Sequence, residues 1–219
     1  MSSTALGIVL GLLVGLRHSV EPDHLTAVST LVGETRGAGP GALLGALWGL
    51  GHTLALVAVG AILIAIGATL PVRAGAAFEL AVAAMLLVLG ARAIVVAMRA
   101  AAGEPGPAGA TTGARRPSAR RARAWRPLAI GLVHGLAGSG ALTAIVFAEL
   151  PGTAARLIYM ALFGLGSIAG MTLVSGAAGA TLRIVARSSG ARRGLGVATG
   201  ALSIAIGVLW SIPLWSRLG

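Results

Sequence analysis

The chain has no cysteine among its 219 residues. That excludes thiolate metal sites and dithiol redox chemistry, and it carries no information about compartment. Lysine is missing too: all 17 basic residues are arginines, set against 6 acidic ones. Charged residues make up only 11% of the chain, where a soluble domain carries about a quarter. Too little polar surface remains to face water on every side. In place of charge stand long uncharged runs, Gly37–Val72, Pro127–Ala148, Leu157–Leu182 and Gly194–Ser216. Each exceeds the ~20 residues that carry a helix across ~30 Å of hydrocarbon. A soluble protein with buried core helices is excluded, because no soluble shell is left to cover four such runs. Strict apolar–polar alternation is also absent. Alanine, leucine and glycine dominate instead, as they do where membrane helices pack through small residues.

The expected fold is therefore an all-α integral membrane protein of six transmembrane helices, at roughly 4–32, 40–69, 74–98, 127–148, 154–182 and 194–214. The third is the weakest by hydropathy, since Glu79 and Arg92 bracket only twelve uncharged residues. Twelve arginines fall in the loops after spans one, three and five, and only Arg73, Arg156 and Arg217 fall on the opposite side. Positive charge marks the cytoplasmic face. The partition predicts a multi-pass membrane protein with both termini outside the cytoplasm. The apolar stretch Met1–Leu16 lacks a basic start and a small-residue cleavage site, so it reads as the start of a span and not as a removed signal peptide. A net charge of +11 could signal nucleic-acid binding. The arginines' loop positions assign the charge to membrane orientation instead, so the expected partners are the lipid bilayer and no nucleic acid. Residues 99–126 are rich in Arg, Gly, Pro and Ala without apolar periodicity, and read as a cytoplasmic linker between units 1–98 and 127–219.

The two units echo one another. Gly15-Leu16-Arg17-His18 matches Gly131-Leu132-Val133-His134. Leu47-Trp48-Gly49-Leu50-Gly51 matches Leu162-Phe163-Gly164-Leu165-Gly166, and Leu25-Thr26-Ala27-Val28 matches Leu142-Thr143-Ala144-Ile145. The three offsets are 116, 115 and 117, in the same order along the chain. Units of three spans each must lie in opposite orientations, the inverted-repeat plan of many secondary transporters.

All four histidines, His18, His24, His52 and His134, fall inside expected spans. Ionisable groups at that depth are costly and mark sites or pathways. The segment His18-Ser19-Val20-Glu21-Pro22-Asp23-His24 concentrates two imidazoles and two carboxylates in seven residues. On a regular helix His24 would sit about 120° from His18, and Asp23 about 140° from it, so the three would not converge. Pro22 cannot donate to the carbonyl of His18. A helix break there frees that carbonyl and lets the side chains turn toward one another, and such irregular backbone lines ion cavities in membrane proteins. Two imidazoles and a carboxylate suit a late transition metal better than magnesium or calcium.

The segment Arg17 to Leu25 resembles the H-x4-D-H signature of nickel/cobalt permeases, and Gly51-His52-Thr53 resembles that family's Gly-His-Ser element in the following helix. The resemblance implies uptake of Ni2+ or Co2+ as transported substrate across the bacterial cytoplasmic (inner) membrane, which makes the expected side of both termini the periplasm, with His18, Asp23, His24 and His52 as metal ligands. Longer family members have eight spans with the signature in the second; here it lies in the first. Val133-His134-Gly135-Leu136-Ala137-Gly138-Ser139-Gly140 is closer to the short urease-accessory membrane proteins related to these permeases. His134 stands at the repeat position of His18, and Ser139 and Gly140 stand near those of Asp23 and His24. One asymmetric site is therefore expected, with His134 a helper or proton relay and Glu21 attracting the ion or orienting a histidine. Ser167 stands at the repeat position of His52.

No G-x-x-x-x-G-K-[ST] sequence occurs, so no obligatory ATPase is inferred. The alternatives are proton-coupled efflux, a metal-binding accessory subunit for urease or hydrogenase maturation, and an intramembrane metalloenzyme. Efflux is disfavoured by the absence of a long histidine-rich loop, and the enzyme by the absence of H-E-x-x-H.

Overall fold

The computed structural model describes residues 3–33, 37–101, 125–137, 150, 152–185 and 188–218, and all regular structure among them is helical. Seven helices follow in order: α1 Ser3–His18, α2 Pro22–Val32, α3 Ala38–Ile66, α4 Val72–Ala101, α5 at residues 125–137, α6 Thr153–Val185 and α7 Ser189–Leu218. Four of them, α3, α4, α6 and α7, are long and apolar enough to cross a membrane. Helix α4, which contains the span expected to be weakest, nevertheless includes an 18-residue stretch more apolar than any in the other three. Linker residues 102–124 and the segment 138–149, with Ser139, Gly140 and the repeat match Leu142–Ile145, lie outside the described residues.

The first expected helix is two helices. Residues Ser19, Val20 and Glu21 leave the helical ladder, and Pro22 opens α2 at a position where its missing N–H costs nothing. The carbonyl of His18 is not left free, however. It accepts the N–H of Glu21 at 3.1 Å, while Ser19 donates its hydroxyl to the carbonyl of Leu16 at 2.7 Å. The break thus closes its own backbone hydrogen bonds and spends its freedom on redirecting side chains. Helix α2 is a half-length element of 11 residues surrounded by the long helices, with Ala27, Val28 and Val32 at most 2% exposed.

Close backbone contacts set the packing. In lipid, apolar side chains gain little by leaving their surroundings, so helices associate through small residues that let main chains approach. A Cβ on Gly15 would collide with the backbone of Phe163 and Ser167; one on Gly131 would collide with the backbone of Trp48 and His52. Gly166 faces Leu12 and Leu16 in the same way that Gly51 faces Leu128 and Leu132. The order of these contacts makes α1 parallel to α6 and α5 parallel to α3. By the same reasoning α3 is antiparallel to α6, and α4 to α7. Cross-helix hydroxyls add polar ties: Thr53 donates to the carbonyl of Gly164 at 3.1 Å, and Ser203 to that of Leu86 at 2.8 Å. Helix α3 ends on Gly67, whose positive φ of 64° closes the last turn and would strain any residue with a Cβ.

Candidate metal centre

Four elements bring polar side chains to one buried point. His18 ends α1, Asp23 and His24 open α2, His52 lies within α3, and His134 lies in α5. Because the chain breaks between His18 and Asp23, the carbonyl end of α1 and the amide end of α2 both face this point. The partial positive charge of the α2 terminus favours the Asp23 carboxylate, and the partial negative charge of the α1 terminus favours a cation near His18.

The imidazoles pack edge-on or tilted into a compact cluster. Ring centroids lie 4.4 Å apart for His18 and His24, 5.1 Å for His18 and His52, 5.4 Å for His24 and His52, and 4.2 Å for His24 and His134. His24, His52 and His134 are at most 2% exposed and Asp23 is 3% exposed. Asp23 Oδ2 sits 2.5 Å from His134 Nε2 and 3.1 Å from His24 Nδ1. Glu21, half-exposed, pairs through Oε2 with His18 Nδ1 at 3.0 Å, which directs the other nitrogen of that ring away from it.

Much of the polar capacity here has no hydrogen-bond partner among the described residues: His18 Nε2, His24 Nε2, both nitrogens of His52, His134 Nδ1 and Asp23 Oδ1. Buried polar atoms are nearly always hydrogen-bonded, so a concentration of orphans calls for a group that they would bind. Two sets of ligand atoms each fall within 4.8 Å of one another, namely His18/His24/His52 and Asp23/His24/His134. Ligands about 2.1 Å from a shared ion lie at most about 4.2 Å apart. Each set is therefore within a small side-chain rotation of coordinating geometry.

The sequence-expected residues distribute as follows. His18, His24 and His52 converge directly, and Glu21 contacts His18. Asp23 turns toward His24 and toward His134, so the residue expected as a helper is the closest partner of the expected carboxylate ligand. Two overlapping ligand sets stand where a single asymmetric one was expected. Trp48 was not singled out, although it is four residues before His52 and so on the same helix face. Its ring lies 5.4 Å from that of His24 and 5.7 Å from that of His134, walling off the cluster. Phe163, at the repeat position of Trp48, lies 5.2 Å from His18.

Comparison with known proteins gives one informative match. The chain is similar to the urease accessory protein UreH of Bacillus sp. (strain TB-90), at 27% identity over 201 residues, 92% of this chain and 88% of that protein. No protein-family model matches the chain, and no solved structure does. The described residues form an all-helical structure whose four long apolar helices are compatible with a membrane protein.

Proposed function

We propose that the chain is a six-span secondary permease for a divalent transition-metal ion, nickel or cobalt, working in uptake across the cytoplasmic membrane. The observation that carries this reading is the buried cluster of four histidines and Asp23 with unpartnered ring nitrogens turned toward one another. Imidazole and carboxylate donors suit a late transition metal, and His18, Asp23, His24, His52 and His134 supply them. The sequence resemblance to nickel/cobalt permeases and the accessory name of the UreH relative point the same way. A divalent ion moving inward gains about 4.6 kcal/mol per 100 mV of membrane potential, so uptake needs no second ion.

In this reading units 1–98 and 127–219 are inverted repeats. Their support is reciprocity: Gly15 meets Phe163 and Ser167, whereas the matching Gly131 meets Trp48 and His52, the repeat partners of those two residues. The packing directions, taken with the short connection from α3 to α4, support an arrangement with the start of α1, the end of α3, the start of α4, the start of α6 and the end of α7 on one side. That is the arginine-poor side, and it is proposed to be periplasmic.

The relative's name favours one other reading, a metal-binding accessory subunit that works only within a larger assembly. Reconstitution separates the two. The purified chain alone in liposomes should accumulate Ni2+ or Co2+ in proportion to an inside-negative potential. Binding without accumulation would leave the accessory role.

A further inference from the structure

Neither ligand set uses α4 or α7, yet both helices border the cluster. A cavity of about 360 Å³ lies between the histidines and these helices. His24 and His52 form its inner wall, Glu21 its rim at the helix break, and Glu79 its α4 wall. Glu79 is a half-buried carboxylate seven residues into α4, about 10 Å along the axis from Val72. Carboxylates inside spans face the bundle interior or a water-filled cavity, whether or not they are paired, and mark ion pathways. The second observation comes from the cavity's inner wall. His52 is fully buried, and neither of its ring nitrogens has a hydrogen-bond partner among the described residues.

We propose that this cavity is the aqueous vestibule through which a divalent cation reaches the histidines, and that Glu79 is its cation-attracting carboxylate. The volume holds roughly ten waters at about 30 Å³ each, enough for an ion that still keeps its six-water shell. Two carboxylates in a low-dielectric funnel concentrate cations. A single carboxylate holds a nickel-like ion more weakly than the clustered imidazoles do, so Glu79 attracts the ion without retaining it. Its α4 and α7 lining, Glu79 and Val82 with Leu209 to Leu214, lies toward the start of α4 and the end of α7, the side proposed to be periplasmic. The identity of the ion rests on the transport reading, whereas the vestibule is testable without it.

The absence of native cysteine makes the test clean. Leu214 on α7 lines the cavity but is 3% exposed, so a reagent reaches Leu214→Cys only through it. Ala137→Cys, on the α5 wall, is the second reporter should the first disturb folding. Val88→Cys, on the outer face of α4 and 67% exposed, is the lipid-facing control. In proteoliposomes, cationic and anionic methanethiosulfonates of equal size are compared. Cavity cysteines should label at least tenfold faster with the cation, and the control should stay unlabelled. Glu79→Gln should cut that preference to threefold or less, and Glu79→Asp should restore it. Glu79→Gln should also raise the Co2+ concentration needed for half-maximal uptake, with Co2+ affinity in detergent held within twofold. An unlabelled Leu214→Cys and Ala137→Cys, or a charge preference that survives Glu79→Gln, would overturn the vestibule, as would loss of Co2+ affinity in Glu79→Gln. Wild-type protein that neither binds nor moves Co2+ would remove the transport reading, and the labelling ratios would still decide the vestibule.

Discussion

Replacing His24 with alanine removes the one side chain common to both ligand sets. Two pairs then remain, His18 with His52 and Asp23 with His134, and neither has three donors. Disturbing a group behind a metal ligand costs 10–100-fold in affinity. Loss of the ligand itself should exceed the upper end, at least ~100-fold or about 2.8 kcal/mol at 1.4 kcal/mol per tenfold. Titration of the purified variant with Co2+ or Ni2+ in detergent measures the affinity, and accumulation in cells making equal amounts of protein measures transport. Uptake should fall to background. The ring of His24 packs against Trp48, so His24→Asn, which keeps part of the volume, and gel filtration guard against a folding artefact. His52→Ala offers an internal scale: it strips one set and leaves Asp23, His24 and His134 intact, so its loss of affinity should be smaller. Full uptake by a well-folded His24→Ala protein would refute the metal-site reasoning.

Glu21→Gln removes the 3.0 Å pairing that orients His18 while leaving every proposed ligand in place, so its affinity loss should stay within about 10–100-fold and below that of Asp23→Asn in the same titration. Acidification should weaken Ni2+ binding, because a proton and the metal compete for the same imidazole nitrogen; affinity that is flat from neutral to acidic pH would exclude histidine coordination. Gly131→Val and Gly15→Val each drive a side chain into a neighbouring backbone, so each should destabilise the folded protein by about 3 kcal/mol or more, read as a lower melting temperature in detergent. A cytoplasm-active reporter fused after Gly219 and a periplasm-active one at Gly113 should both be silent, and activity of either would reverse the arginine-based orientation.

How far the site was legible in the sequence depended on whether its causes were local. The break at Pro22 follows from a missing N–H, and the meeting of His18, His24 and His52 follows from that break plus the proximity of the first two spans. The placement of His134 against Asp23 does not follow, because it joins positions 111 residues apart across a contact set by which glycine meets which carbonyl. The repeat matches fell at those same glycines, but residue identity alone does not say that Gly131 packs on Trp48. Glu79 carried a readable signal, a carboxylate inside a span. As an interruption of hydropathy it only weakened the expected third helix, and its position on the cavity wall required the α4–α7 pairing. The fate of the His18 carbonyl likewise depended on three residues of local geometry that no periodicity encodes.

The sharing of His24 between two ligand sets fixes a counting rule for the proposed transport. Two divalent ions held roughly 5 Å apart would repel by about 13 kcal/mol even at an effective dielectric constant of 20. Double occupancy is therefore forbidden, and the next ion cannot push the first one through, as neighbouring ions do in a channel filter. Flux through such a turnstile saturates hyperbolically with external metal, shows no cooperativity, and is limited by how quickly one ion leaves.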